Sequence, residues 1–268
     1  MIKNITVMTK KILVVPDVHG RTFWKKPVGR LLESVDRVVF LGDYLDPYEQ
    51  HRPEELYANL MEIIELKRAN PDKVVLLKGN HDEHYASKLF RDIAGGSRMD
   101  VTNWQKYHEA FSKNSELFKI AHLEVVKGVP YVFSHAGLTA FWLNKVNANL
   151  WHLIDSELSV ADQAIIDRIN ELENDEEGME MLGVIGSCRN WYGGEKTGSV
   201  LWADINEHSL PVAQQVYDLD HVFQVFGHSR LDGRVHDMIR CENLAMIDSQ
   251  KCFLIDADSS EKLLAVRN

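Results

Sequence analysis

With 268 residues, 45% hydrophobic and 26% charged, the chain has the composition of an ordinary globular protein, long enough for a large core. Its formal net charge of −10 disfavours a nucleic acid as a standing partner, because phosphate-backbone contacts need clustered Lys and Arg; a phosphorylated substrate stays compatible if metal ions offset the charge locally. Three scattered cysteines (Cys188, Cys241, Cys252), no stretch near the roughly 20 apolar residues of a membrane span, and no signal-peptide core predict a cytoplasmic protein without a disulfide framework.

In chain order, the first predicted strand is Ile12–Val15, followed by a short helix over Pro27–Leu32 and a second strand, Val38–Leu41. Pro53 suits the first turn of a longer helix with Leu56, Leu60, Ile63, Ile64 and Leu66 at near-helical spacing, and Asn70-Pro71 stops it. A third strand, Val74–Leu77, precedes a helix around Tyr85–Arg91, a loop at Gly95-Gly96 and a further helix to about Ser112. Tyr131–Phe133 reads as the next strand, and the alternation so far is the βαβ rhythm of a sheet covered on both faces. From Leu138 to about Asp218 the texture is mostly helical. Ile165, Ile166, Ile169 and Leu172 share one face, Glu171–Glu180 forms a solvated face, and a glycine-rich loop runs from Gly183 to Gly198. Short strands return at Val222–Phe226, Val235–Ile239, Leu244–Ile247, Phe253–Asp256 and Leu263–Val266. Without a long linker or repeat, residues 1–268 are expected to form a single domain with a helical excursion at about 138–218.

Five of these strands end in a residue able to bind a metal: Asp17, Asp43, Asn80, His135 and His228. A buried strand places its tip rigidly, and several such tips cluster oxygens and nitrogens at one end of a sheet. Asp17-Val18-His19 sets a carboxylate and an imidazole two residues apart, a pair suited to a divalent transition metal. Asp43, in Gly42-Asp43-Tyr44-Leu45-Asp46, can bridge two ions with its two oxygens. Asn80, in Gly79-Asn80-His81-Asp82, offers a neutral carbonyl oxygen, while His81 projects beside it for proton transfer. Ser134-His135-Ala136-Gly137 and Gly227-His228-Ser229 each supply one imidazole.

The ordered series DxH, GDxxD, GNHD, SHAG and GHS resembles the calcineurin-like metallophosphoesterase superfamily. It is closer to the serine/threonine phosphoprotein-phosphatase branch and bacterial diadenosine-tetraphosphatase relatives than to the phosphodiesterase branches. The motifs span Asp17 to His228. The resemblance implies an α/β fold, a four-layer α/β/β/α sandwich, with two divalent metals at the strand ends. It implies that Asp17 and His19 hold one ion, that Asp43 bridges, and that Asn80, His135 and His228 hold the other. It further implies His81 as general acid, oriented by Asp46, and a metal-bridging hydroxide as nucleophile. Ligation without thiolate suits manganese first, and also iron, zinc, cobalt or nickel.

Two words depart from the family pattern. Arg230 stands where the phosphodiesterases carry a second histidine, which favours a phosphomonoesterase. Pro47-Tyr48 stands where the phosphatases carry Arg-Gly, so another cation must grip phosphate: Arg189, in a glycine-bearing loop, or else Arg21. Leu201-Trp202-Ala203-Asp204 is similar to the Trp-x-Asp segment of these phosphatases. The expected substrate is a phosphoprotein or small phosphomonoester. A dinucleoside polyphosphate is the alternative, and a non-catalytic binding module is a weaker one because His81 and all six proposed ligands are present. Trp142, Trp151, Trp191 and Tyr192 are candidates for stacking on a substrate ring or for packing.

Overall fold

Strands β1 (Lys11–Val15), β2 (Arg37–Phe40) and β3 (Val74–Leu77) are apolar along nearly their whole length because the fold buries both of their faces. In the computed structural model, which describes residues 10–93, 98–146, 158–190, 194–210, 217–231 and 237–267, these three run parallel as neighbours. The sheet continues through β4 (Phe118–Lys119) on one side and through antiparallel β10 (Phe253–Asp256) and β11 (Leu264–Ala265) on the other. A second sheet has the order β5-β6-β7-β9-β8, from β5 (Ala121–Val126), β6 (Val129–Ser134), β7 (Phe223–Phe226), β8 (Ile239–Arg240) and β9 (Leu244–Met246).

Alternation along each strand sorts side chains into layers. Ile12, Val14, Val39, Leu41 and Leu77 face Phe133, Phe223, Val225 and Ile247 of the second sheet. The opposite face of the first sheet, with Leu13, Val15, Val38 and Phe40, packs on α1 (Lys25–Leu31), α2 (Pro53–Ala69) and α5 (Trp104–Ser112). Val132 and its neighbours on the second sheet pack on α6 (Ala140–Val146), α7 (Leu158–Glu171) and α8 (Glu176–Leu182). This is the expected α/β/β/α sandwich, with α6, α7 and α8 as its fourth layer.

Three differences from the sequence reading have local causes. Between β3 and α5 lie α3 (Asn80–Ala86) and α4 (Lys88–Ile93), so helix begins at Asn80 rather than near Tyr85. Asp82, in the first turn, accepts a hydrogen bond from the Gly79 amide (2.8 Å), which starts the helix on the metal word itself. Strands β4 and β5 were not expected. β4 is only two residues long, and β5 is an edge strand whose His122 and Glu124 break the apolar pattern. Of the strand expected at Val235–Ile239, residues 235 and 236 lie outside the described residues, and β8 is found at Ile239–Arg240. The expected loop at Gly95-Gly96 also falls outside them.

Because β1, β2 and β3 are parallel, Asp17, Asp43 and Asn80 leave the first sheet at one end. Parallel β6, β7 and β9 likewise bring His135 and His228 to one end of the second, with Asp248 following β9. The two ends are laced together: His135 Nδ1 donates to the Leu41 carbonyl (3.0 Å) and the His228 amide to the Asp17 carboxylate (3.0 Å).

Candidate metal centre

Four residues at the strand tips hold left-handed backbone conformations without being glycine: His19 (φ 44°), Asp43 (φ 51°), Asp46 (φ 55°) and His228 (φ 68°). Each such residue costs on the order of 1–2 kcal/mol, and strain of this kind persists where a fixed side-chain direction is needed. Gly227 has a complementary role. A Cβ there would run into the Asp17 carboxylate, so only glycine lets β7 approach β1 this closely.

Asp17, Asp43 and His135 are fully or almost fully buried and present ligand atoms within 4.8 Å of one another. Asn80 Oδ1 lies 3.0 Å from His135 Nε2, and His228 Nδ1 lies 3.1 Å from the same nitrogen. His19 Nε2 approaches Asp43 Oδ2 at 3.4 Å. The six sequence-predicted ligands are therefore neighbours.

The protonation logic shows whether metal ions suit them. His135 Nδ1 donates to the Leu41 carbonyl (3.0 Å) and His19 Nδ1 to the Leu45 carbonyl (2.8 Å), since a carbonyl only accepts. In the neutral rings both Nε2 atoms are then bare. His135 Nε2 faces the Asn80 oxygen and His19 Nε2 faces the Asp43 oxygen, lone pair against lone pair. Carbonyl-oriented imidazoles of this kind are a hallmark of metal ligation.

The titration behaviour agrees. Burial depresses proton affinity at His19 and His228 and brings His135 down to about 3, so all three stay neutral donors. Burial, reinforced by neighbouring carboxylates, raises Asp17 and Asp43 well above the ordinary range. Bare carboxylates crowded in a dry pocket need cations. The donor set fits two divalent ions.

Beside this group, His81 Nδ1 is 2.9 Å from Asp46 Oδ2. Burial would raise the Asp46 carboxyl, but hydrogen bonds from His81 and His84 outweigh it and hold the group at about 2, so it is a carboxylate. Burial lowers His81 while Asp46 pulls the other way. The main-chain amide of His81 also donates to Asp43 Oδ1 (3.0 Å), which ties the proton-transfer candidate to the bridging candidate.

Three neighbours were not singled out from the sequence. His84 Nε2 lies 2.7 Å from Asp46 Oδ2, and Tyr85 donates to Asp46 Oδ1 (2.6 Å). Their signal is the i+3 and i+4 spacing from His81 on one helix. Asp46, His81 and His84 also meet a geometric criterion for a metal group. The Tyr85 hydroxyl and His81 already engage the two Asp46 oxygens, so we read the trio as a proton-holding network rather than a metal site. The third is Asp248, buried and raised to about 6 by burial against the pull of Arg21, Arg230 and Arg189. It follows the strand run Leu244–Ile247, so the strand-tip rule that found the other five applies to it unchanged.

Arg189 reaches the second-sheet side of the site. Its Nη2 donates to Ser229 Oγ (2.8 Å) and pairs with Asp204 (3.2 Å), while its Nε is buried without a hydrogen-bond partner among the described residues. Its loop is anchored by the buried Glu207 carboxylate, which accepts from the amides of Cys188 (3.1 Å), Gly198 (2.7 Å) and Asp204 (3.2 Å). Arg21 is buried and forks onto Glu49, with Nε and Nη2 each 3.2 Å from a carboxylate oxygen. Trp142 is core packing, with its Nε1 donating to the Met181 carbonyl (2.9 Å), whereas Trp151, Trp191 and Tyr192 lie outside the described residues.

Comparison with known proteins places this geometry. No curated protein matches the sequence. Among solved structures, the cold-active protein-tyrosine phosphatase of a psychrophilic Shewanella species is similar at TM-score 0.52 and 14% identity, over 92% of this chain and 76% of that one. Another structure of a cold-active protein tyrosine phosphatase gives TM-score 0.51 and 15% identity, over 92% and 74%. A serine/threonine phosphatase from Saccharomyces cerevisiae gives 0.49 and 16%, over 98% and 81%. At such identities the likeness to the two cold-active phosphatases is one of fold. The family model for calcineurin-like phosphoesterases, however, matches residues 10–230, which include every candidate strand-tip ligand from Asp17 to His228, and the chain belongs to that family of metal-dependent phosphoester hydrolases.

Proposed function

We propose that the protein is a two-metal phosphomonoesterase of the protein-phosphatase-like type. The observation that carries this reading is the facing of bare acceptor atoms (His135 Nε2 on Asn80 Oδ1, His19 Nε2 on Asp43 Oδ2) beside the His81–Asp46 pair. Asp17 and His19 would hold one ion, Asn80, His135 and His228 the other, with Asp43 shared; manganese is the first choice. When bound, such ions supply Lewis-acid charge that activates water and neutralises phosphoryl oxygens.

The chain's own residues do the rest. The Nε of Arg189, without a hydrogen-bond partner among the described residues, suits its guanidinium to bind a phosphoryl oxygen and to stabilise the charge that grows there. His81, held through Nδ1 by the Asp46 carboxylate, gives the proton on its Nε2 to the leaving oxygen. Asp46 stabilises the imidazolium before transfer, and Tyr85 fixes the carboxylate's orientation. Anhydride cleavage in a dinucleoside polyphosphate would use the same residues.

The test is a substrate panel on protein reconstituted with manganese: an alkyl phosphate, a phosphopeptide and diadenosine tetraphosphate, with metal content measured in parallel. Phosphomonoester turnover with about two ions per chain is expected, and Asp43→Ala should lose both ions and turnover together. An Asp43→Ala protein that keeps two ions removes Asp43 from the shared position.

A further inference from the structure

The two departures from the family pattern meet in space. Tyr48, in the position where the phosphatases carry Arg-Gly, is 45% exposed, and its ring stands edge-on to His19 with centroids 5.2 Å apart. Three guanidinium groups surround that ring: the Arg98 Cζ is 3.5 Å from its centroid, the Arg230 Cζ 4.5 Å and the Arg21 Cζ 5.7 Å. Arg230 is the residue that replaces the diesterase histidine. Arg98 is anchored through Nη2 to the Asp46 carbonyl (3.0 Å), so the cluster is attached to the proton-transfer loop.

Carboxyl groups also face these cations: buried Asp248 feels Arg21 and Arg230, and Glu49 pairs with both. Glu49 takes the Arg21 fork and lies 3.9 Å from Arg230 Nη2, with its side chain 48% exposed. Fork-on-fork pairing is also how arginine holds phosphate. A cation–π contact at an exposed site is worth about 0.5–1 kcal/mol, whereas like charges gathered on one ring repel. In a protein of net charge −10, a cluster with excess positive charge beside the reaction centre suits an anion better than it suits packing.

We propose that Arg21, Arg98 and Arg230, arranged around Tyr48, form an anion subsite for a second phosphoryl group carried by the substrate, with Glu49 occupying the fork until that group displaces it. The proposal rests on the phosphoesterase reading above and narrows its substrate class. The second phosphoryl group can belong to a doubly phosphorylated monoester or to a phosphoanhydride. Both present the same anion one aromatic ring away from His19.

The metal-loaded enzyme is assayed on phenyl phosphate, glycerol bisphosphate and diadenosine tetraphosphate, and methylenebisphosphonate binding is followed by calorimetry. Arg98→Gln and Arg230→Gln should each lower the kcat/KM preference for a doubly anionic substrate over phenyl phosphate about tenfold, near 1.4 kcal/mol. Each should weaken methylenebisphosphonate binding to a similar degree, while Glu49→Gln should strengthen it. The substrate whose preference falls more identifies the source of the second phosphoryl group. Cleavage of phenyl phosphate with preference and bisphosphonate affinity unchanged in both arginine variants overturns the subsite alone, as does a Glu49→Gln variant that binds the bisphosphonate more weakly. Arginine-dependent bisphosphonate binding by a protein that hydrolyses none of the substrates overturns the phosphoesterase reading and leaves the subsite standing.

Discussion

His81 sits where burial and a carboxylate pull its proton affinity in opposite directions, with burial the larger effect. A proton held less tightly than on a free imidazole is more readily given to a departing oxygen, and Asp46 ensures that Nδ1 is not the nitrogen that gives it. His81→Ala should therefore lower turnover of an alkyl phosphate by about 10²–10⁴-fold and that of an aryl phosphate much less, since a good leaving group needs little protonation. Bound metal should stay near two ions, because the His81 ring is not a proposed ligand. Undiminished alkyl phosphate turnover would remove His81 from the acid role. At this scale the sequence was largely legible. Asp17, Asp43, Asn80, His135 and His228 are each marked by a strand that ends just before them and His19 by its place two residues after Asp17, and the strand-tip rule extends to Asp248 as well. The network around Asp46 was not legible, because His84 and Tyr85 reach it only once helix is known to begin at Asn80.

That helix is the element on which the site depends most. Asp82 accepts hydrogen bonds from the amides of Gly79 (2.8 Å), Asp43 (2.7 Å) and Tyr44 (2.9 Å), joining the first turn of α3 to the loop after β2. One carboxylate thereby sets the spacing between Asp43 and His81. Asp82→Ala would strand three buried donors at roughly 1–3 kcal/mol each, so a loss of about 3 kcal/mol or more is expected in urea unfolding. Metal affinity should fall with it, since the Asp43 loop loses its anchor. A variant within 1 kcal/mol of the parent, by the same order of estimate, would show that water replaces the carboxylate. The apolar runs of β1, β2 and β3 announced themselves because both faces are buried, whereas β4 and β5 did not. Two residues and an edge position with His122 and Glu124 give no periodic signal, and pairing with β3 and β6 alone makes them strands.

Across the molecule, the buried titratable groups of the site have opposite pH dependence. Buried histidines such as His135, lowered to about 3, charge more readily unfolded, so they favour folding increasingly as pH rises toward 6.5. Asp248, raised from 3.8 to about 6, does the reverse: its contribution is fully present below the unfolded value and is lost as pH rises through about 6. These trends partly cancel, so a difference measurement isolates one of them. Metal-free Asp248→Asn should gain stability relative to the parent as pH rises from 4 to 7, by about 3 kcal/mol in all, read from Tm. A difference that stays flat over that range would mean that Asp248 is ionised throughout. The sequence by itself determined the fold class, the order of the candidate strand-tip ligands and the family, because buried strands and metal words are local patterns. Only the tertiary structure decided which arginine meets which group. Arg21, Arg98 and Arg230 lie far apart in the chain, and nothing local encodes their meeting around Tyr48; the packing of loops at the ends of two sheets brings them there.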